Sequence, residues 1–363
     1  MRYATFLLVV IMALAPPAAA QRGPGQAEPH WPSAEALPVA HDWVQLDTDE
    51  WLKGELIALY EDDLVFDSAK FGPRTLDWKD VKEVRTSRAM TVGLTGGEVL
   101  VGKLVIVGDR VRVVGDETRE VPRSQILSIV PAWSKPFSRL GGKVSAGLTA
   151  RQGNVDQIDA NVSAEIEHRR VRDRIELDYF ATYSSNEGKD TANDQRIKSQ
   201  WTHAITGRFF VKPAVVEWYR DPIQNLDART TAGAELGYQI FDTRRTEWQV
   251  SAGLAWQQTQ WVGVEAGEEA VQTAAAFVGS TRFEQEWTKD IDFKFDYTFY
   301  LTQEDAGRYI HHGLVSVETE WTDTLDFDVS LYWDRTQAPQ AARDGTVPDQ
   351  DDLRMVVSLG IEF

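Results

Sequence analysis

From about residue 140 to the C-terminus, apolar and polar residues alternate with period two in one segment after another. Successive side chains on a strand point to opposite faces, so each segment presents one apolar and one polar surface. Ile291, Phe293, Phe295, Tyr297 and Phe299 fall on one face, with Asp292, Lys294, Asp296 and Thr298 on the other. Leu325, Phe327, Val329, Leu331 and Trp333 alternate with Asp326, Asp328, Ser330, Tyr332 and Asp334. The last segment sets Leu353, Met355, Val357, Leu359, Ile361 and Phe363 against Arg354, Val356, Ser358, Gly360 and Glu362. A soluble sandwich alternates in the same way, so alternation alone does not decide the class.

Segment count, loop length and tryptophan placement separate the two. Twelve segments begin near 140, 156, 172, 194, 207, 226, 245, 268, 289, 307, 324 and 351, and an even count closes a barrel with both ends on one side. Connections after odd segments are expected to be long loops (184–194, 220–229, 261–270 and 335–352), and those after even segments short turns (168–173, 204–208, 287–290 and 321–324). The first connection, RQGNVD, is short and departs from the rule. Long loops outside and short turns inside are the outer-membrane pattern, which puts both the N-terminal region and Phe363 in the periplasm. Trp201, Trp287 and Trp321 each stand at a short turn, where an amphipathic indole suits a membrane interface. At a tilt near 40°, ~10 residues per strand cover the ~25 Å apolar band. The expected fold is all-β: a 12-stranded antiparallel transmembrane β-barrel at 140–363.

The first twenty residues fit export into that compartment. Arg2, the apolar run Ala4 to Ala15, then Pro16-Pro17 and Ala18-Ala19-Ala20 form the three regions of a signal peptide (1–20). The run is too short for the ~20 residues of a membrane-spanning helix. With no cysteine in the chain, a lipidated cysteine, disulfides, thiol catalysis and thiolate metal sites are excluded. Removing Arg2 with the signal takes the net charge from −18 to −19, and a chain so acidic is unsuited to nucleic acid.

Between signal and barrel, residues 21–40 are rich in Pro, Gly and Ala and read as a flexible linker. Residues 41–133 carry an internal duplication. Trp51-Leu52-Lys53-Gly54-Glu55-Leu56 is answered by Val99-Leu100-Val101-Gly102-Lys103-Leu104, Leu64-Val65-Phe66 by Val111-Arg112-Val113, and Val81 with Val84 by Ile126 with Ile129. Short strands divided by Glu61-Asp62-Asp63 and Gly108-Asp109 make this a small periplasmic β domain, either paired small barrels or one sandwich. The x-G-x-L step resembles Sm-like and SH3-like barrels, but 12 basic against 17 acidic residues over 41–133 argue against RNA. A periplasmic or cell-wall contact is the open role for the module.

The stretches GLTARQGNVDQIDANVSAEIEHRRVRDRIELDYFATYSSNEG and EWYRDPIQNLDARTTAGAELGYQIFDT resemble the family known as domain of unknown function 481, the salt-stress-induced outer-membrane proteins. The likeness runs from about 140 to the C-terminus and is carried by the Gly153-Asn154 turn and by Arg220-Asp221-Pro222 to Arg229, followed by Gly233, Gly237 and Tyr238. It implies an outer-membrane, porin-like β-barrel of a Gram-negative bacterium. It implies no established activity and transfers no catalytic residue, and the module lies outside it.

With the apolar face toward lipid, fourteen acids point inward: Asp159, Glu165, Glu167, Glu176, Asp178, Glu235, Asp292, Asp296, Glu318, Glu320, Asp326, Asp328, Asp334 and Glu362. Six bases oppose them: Lys143, Arg196, Lys198, Arg229, Lys294 and Arg354. Twelve strands lie between the side-chain-filled eight-stranded barrel and the open sixteen-stranded porin. An open lumen would be a narrow cation-preferring diffusion channel, whereas a closed one would hold a salt-bridge network in a structural or surface-interaction barrel.

An enzyme is the third class, because outer-membrane phospholipases also use twelve strands. His311-His312 with Ser316 is the only suggestive cluster. His312 and Ser316 share the inward face, while that chemistry works at the lipid-facing wall, so no catalytic residue, metal or cofactor is expected. Loop acids Glu265, Glu268, Glu269, Asp344, Asp349, Asp351 and Asp352 are solvated or meet divalent cations at the lipopolysaccharide surface. Other expected partners are outer-membrane lipids and, through the C-terminal strand, the barrel-assembly machinery.

Overall fold

The computed structural model describes residues 40–362 except 61, 96, 133–139, 152–156, 244, 266, 289, 303–307 and 323. The expected signal peptide, most of the linker, the Gly153-Asn154 turn and Phe363 lie outside the described residues.

The module contains β1 (Asp42–Leu46), β2 (Trp51–Tyr60), β3 (Asp63–Ser68), β4 (Gly72–Asp77), β5 (Val81–Arg85), β6 (Met90–Leu94), β7 (Val99–Val107), β8 (Arg110–Val114), β9 (Thr118–Pro122) and β10 (Ile126–Pro131). A 3-10 turn precedes β5 at Trp78–Asp80 and β10 at Arg123–Gln125. The same five-strand unit therefore occurs twice, as the repeated motifs require. The halves do not close separately. β5 of the first pairs with β7 of the second, and β10 of the second with β2 of the first, giving one ring β1-β5-β7-β6-β10-β2. Hairpins β3–β4 and β8–β9 hang from β2 and β7. One shared core results: Val44, Leu56, Leu64, Phe66 and Val84 from one half pack with Val92, Leu104, Ile106, Val111 and Ile129 from the other.

The repeated glycine has a steric cause. A Cβ on Gly54 would stand 2.0 Å from the Asp67 carbonyl oxygen, and one on Gly102 would stand 2.6 Å from that of Val114. Only glycine permits so close an approach where a strand bends over its hairpin partner. Beside that bend the buried Asp42 carboxylate accepts from Leu56 N (2.8 Å), Ser87 N (2.6 Å) and Ser87 Oγ (2.8 Å), tying the start of β1 to β2.

The barrel is β11 (Leu140–Arg151), β12 (Gln157–Arg169), β13 (Asp173–Asn186), β14 (Lys189–Ala204), β15 (Phe209–Asp221), β16 (Leu226–Thr243), β17 (Thr246–Trp261), β18 (Val271–Thr288), β19 (Ile291–Leu301), β20 (Tyr309–Thr322), β21 (Leu325–Thr336) and β22 (Asp351–Glu362). It closes in sequence order, each strand antiparallel to the next, and β22 returns to β11 from Lys143–Glu362 to Ala146–Leu359. The outer wall is apolar: Leu148, Leu254 and Met355 leave 75%, 73% and 72% of their surfaces exposed. No helix among the described residues is long and apolar enough to cross a membrane. A closed wall of this kind satisfies every backbone pair without water, which makes it a transmembrane β-barrel of outer-membrane type.

Two loop expectations are corrected. Residues 184–194 are not a long loop: β13 and β14 extend to Asn186 and from Lys189, joined by Glu187 and Gly188, both at positive φ (51° and 76°). A two-residue turn with positive φ matches strand twist, so the ladder continues past the membrane. Residues 220–229 are likewise ordered. The Asp221 side chain caps a 3-10 turn at Pro222–Gln224, and Asn225 follows in the left-handed region at φ 59°. The strands are also longer than the expected ten or so residues. At ~3.4 Å per residue, the 18-residue β16 and β18 are nearly twice what a tilted crossing of the apolar band needs.

The module meets the barrel at the end carrying the short turns. Val171, in the β12–β13 turn, contacts the paired strands β6 and β10: its carbonyl accepts a hydrogen bond from Ser128 Oγ, and its side chain lies against Gly93. Trp201, Trp287 and Trp321, at the same end, are 42%, 55% and 62% exposed on the outer wall. Trp287 stacks on Phe293 and Trp321 on Phe327.

Candidate functional site

Facing strands share inward positions in register, so the polar interior can be traced around the wall. Lys143 pairs with Glu165, Glu165 with Asp178, Asp178 with Lys198 and Lys198 with Glu217. All of the anticipated inward residues in the described strands lie on this face. The anticipated set was incomplete, because Arg174, Lys212 and Arg282 also face inward, with Asp194, Glu217, Asp221, Glu247 and Glu284. Strict alternation misplaces Lys212 because β15 slips register between Lys212 and Val215, at Pro213-Ala214. The bulge exchanges the faces of the residues before it, so simple alternation misplaces them.

These charges are paired rather than left to water. Lys143, from β11, reaches over β22 to Asp328 (2.7 Å), Glu318 (3.0 Å) and Asp326 (3.1 Å). Gly360 makes room for it, since a Cβ there would stand 2.6 Å from Lys143 Cε. Lys294 meets Glu318 at 3.0 Å. Arg282 joins Glu176 (2.7 Å) to Asp296 (2.9 Å). Asp292 and Asp159 are half-buried on the same face, and Asp159 accepts from Gln157 Nε2 at 2.9 Å.

Arg282 on β18 thus reaches across the lumen to Glu176 on β13, and further contacts cross it higher in the barrel. Arg354 on β22 pairs with Asp194 on β14, and Arg196 on β14 meets Asp334 on β21 at 2.7 Å. Phe180 on β13 stacks on Tyr332 on β21, ring centroids 4.2 Å apart. Above them Tyr219, Leu226 and Trp261 form one buried cluster, and Val278, Tyr300 and Ile310 another. Arg229, Gln257 and Thr259 are 3%, 1% and 0% exposed, so this part of the loop-side half is filled. Asn225 ties two loops together, its Nδ2 donating to the carbonyls of Gly263 (2.8 Å), Gln340 (3.2 Å) and Ala341 (3.3 Å).

Below the braces lies a cavity of about 720 Å³ that reaches the module-side rim at Gly141, Arg169, Thr324 and Glu362. Glu165, Asp178 and Lys198 line it beside the ion pairs already described. A second cavity, of about 550 Å³, lies between barrel and module and shares Arg169 and Arg174 with the first. Arg123, from the module's second 3-10 turn, reaches this junction. Its guanidinium lies 3.6 Å from the Trp78 ring centroid and donates to the Val81 carbonyl at 2.6 Å. Burial pulls its pKa down to about 10, leaving it charged at neutral pH.

His312 and Ser316 do share the inward face, but they serve different neighbours. His312 is held by Asp334, whereas Ser316 Oγ meets Ser330 Oγ at 2.9 Å. His311 faces outward and contacts Tyr297 Oη at 2.8 Å. The loop acids are dispersed: Asp351 pairs with Arg335, Asp352 with Arg354 at 2.6 Å, and Glu268 accepts from Gln340. No group of three metal-ligating side chains converges among the described residues.

Among solved structures, the chain is similar to the NanC porin in its rhombohedral crystal form, at 9% identity and TM-score 0.39 over 61% of this chain and 98% of that one. It is also similar to outer-membrane expressed OmpT of Vibrio cholerae (10%, 0.31, 76% and 95%) and to the outer membrane channel DcaP of Acinetobacter baumannii (8%, 0.29, 89% and 94%). At these values the likenesses carry no functional argument. No curated protein matches the sequence. The family model for "Protein of unknown function, DUF481" matches residues 144–363, β11 to the end of the chain, and the protein belongs to that family.

Proposed function

We propose that the protein is an outer-membrane barrel that does not conduct at rest, with a lumenal chamber open toward the periplasm. The observation that carries this reading is the upper set of cross-lumen contacts, Arg354–Asp194, Arg196–Asp334 and Phe180–Tyr332, above a cavity that ends beneath them and that Arg282–Glu176 also spans. Opposite walls of a wide aqueous pore do not touch, whereas a side-chain-filled barrel is braced in this way. The acid excess favours a second reading, a narrow cation-preferring channel, if the braces yield.

Planar-bilayer recording of the purified full-length protein separates the two. A silent membrane supports the resting closed state; steady cation-selective conductance overturns it in favour of the channel. The module lies on the periplasmic side in this proposal, supported by its docking at the short-turn end. Protease added to intact cells should leave it uncut, and cleavage there would reverse the orientation. Contact with lipopolysaccharide through the loop acids and insertion by assembly machinery through the C-terminal strand belong to the same picture.

A further inference from the structure

The chain is strongly acidic at −18, yet six arginines gather around the junction cavity: Arg123, Arg169, Arg170, Arg172, Arg174 and Arg208. The acids lining it are Asp62, Asp173 and Asp242. Four of the six arginines come from the β12–β13 connection and its flanks, one from the module and one from the β14–β15 turn, so the fold assembles the cluster from three places.

Ion pairing does not explain it. Arg169 meets Glu167, and Arg174 meets Glu176 at 3.6 Å. Arg123 and Arg172, by contrast, donate to backbone carbonyls, the latter to Ala204 O at 2.6 Å. Arg170 contacts the His168 ring at 3.3 Å, and Arg208 reaches Tyr238 Oη at 3.3 Å. Asp173 Oδ1 accepts from Trp201 Nε1 (2.8 Å) and contacts His203 Nδ1 (2.9 Å). Arg123, Arg170, Arg172 and Arg208 thus have no carboxylate within ion-pair distance among the described residues. Six arginines against three lining acids leave a net positive charge, like charges held together repel, and a bound anion relieves that cost.

A second observation points into the same space. Thr202, 8% exposed, lines the cavity, and its hydroxyl has no hydrogen-bond partner, nor does Arg172 Nε. A buried hydroxyl left unpaired costs free energy that a ligand oxygen would recover. Guanidinium forks suit a phosphate, whose several oxygens accept from different directions at once. A chamber of about 550 Å³ lies within the size range of small-molecule sites.

We propose that the junction chamber binds a soluble solute bearing a phosphate group. Thr202, Phe210, Gln239 and Gln249 belong to the inward face of the wall, and the chamber shares Arg169 and Arg174 with the lumenal cavity. Phe241, on the outer wall, also lines the chamber, but those four wall residues face the barrel interior, and this continuity with the lumen favours a solute over a lipid headgroup. The site does not depend on whether the barrel conducts.

Calorimetric titration of the full-length protein in detergent with glycerol 3-phosphate at low salt tests this. Saturable binding is expected, weakening as salt rises. The Arg170→Gln/Arg208→Gln double variant should bind about tenfold more weakly, as loss of roughly 1.4 kcal/mol of charge-assisted bonding implies. Both side chains are exposed, so retention of the fold can be checked by heat-dependent gel mobility. Thr202→Val, nearly isosteric, should weaken binding severalfold, while Arg112→Gln, remote on the module surface, should leave it unchanged. Three results would each overturn the proposal: no saturable binding by the wild type, unaltered affinity in both site variants, or binding to phosphatidylglycerol vesicles with none to glycerol 3-phosphate.

Discussion

Phe180 and Tyr332 stack at 26° between planes across the barrel interior, although β12, β11 and β22 separate their strands along the wall. The intervening strands carry small inward residues at this height, Ser145, Gly147, Asn161 and Ser163. The two rings span the space those residues leave.

Removing both rings should open the lumen. Phe180→Ala/Tyr332→Ala is expected to turn a silent barrel into one with measurable, cation-favouring conductance in planar bilayers, since the remaining lining is acidic. Continued silence of a correctly folded double variant would show that the loop-side packing alone seals the barrel.

Among the described residues Lys143 is the sole base in ion-pair contact with Asp326 and Asp328, and its side chain is 9% exposed. Lys143→Met strands buried carboxylates, a change worth about 3–5 kcal/mol when one partner of a buried pair is removed. The unfolding midpoint in urea should fall accordingly, and a shift below about 1 kcal/mol would mean that water enters the cavity and solvates the acids.

In the module, Gly54→Ala forces a Cβ to 2.0 Å from the Asp67 carbonyl. Separating β2 from β3 should cost about 1–3 kcal/mol, in the range of overpacked sites. Hydrogen exchange across β2 and β3 should accelerate, whereas Gly141→Ala, with nothing within 4 Å of the added Cβ, serves as the neutral control.

Burial, reinforced by Asp77, raises the pKa of Asp62 above its ordinary value. A carboxyl whose folded pKa exceeds the unfolded one favours folding at low pH, and that contribution disappears as pH rises through the folded value. Asp62→Asn should therefore raise the melting temperature of the module at pH 7 and leave it nearly unchanged at pH 3. Equal shifts at both pH values would assign the effect to packing.

Much of the barrel is legible from residues alone because each strand meets lipid on one side and the lumen on the other. Leu353 to Ile361 against Arg354 to Glu362 needs no partner to reveal its faces. Legibility fails where a bulge intervenes, as at Pro213-Ala214, and where a turn is short enough to continue the ladder, as at Glu187-Gly188. The duplicated motifs around Gly54 and Gly102 identify two equivalent halves, but not that β5 and β10 each cross to the other half to complete one ring.

The sequence by itself determined the class, the strand number and the inward face of each regularly alternating stretch, since alternation and turn placement are local properties of the chain. Only the tertiary structure decided that the lumen is braced and that arginines meet beneath it. Arg354 and Asp194 are 160 positions apart, and Arg196 and Asp334 are 138 apart. Such pairs follow from the diameter and stagger of the closed wall, which no stretch of chain encodes on its own.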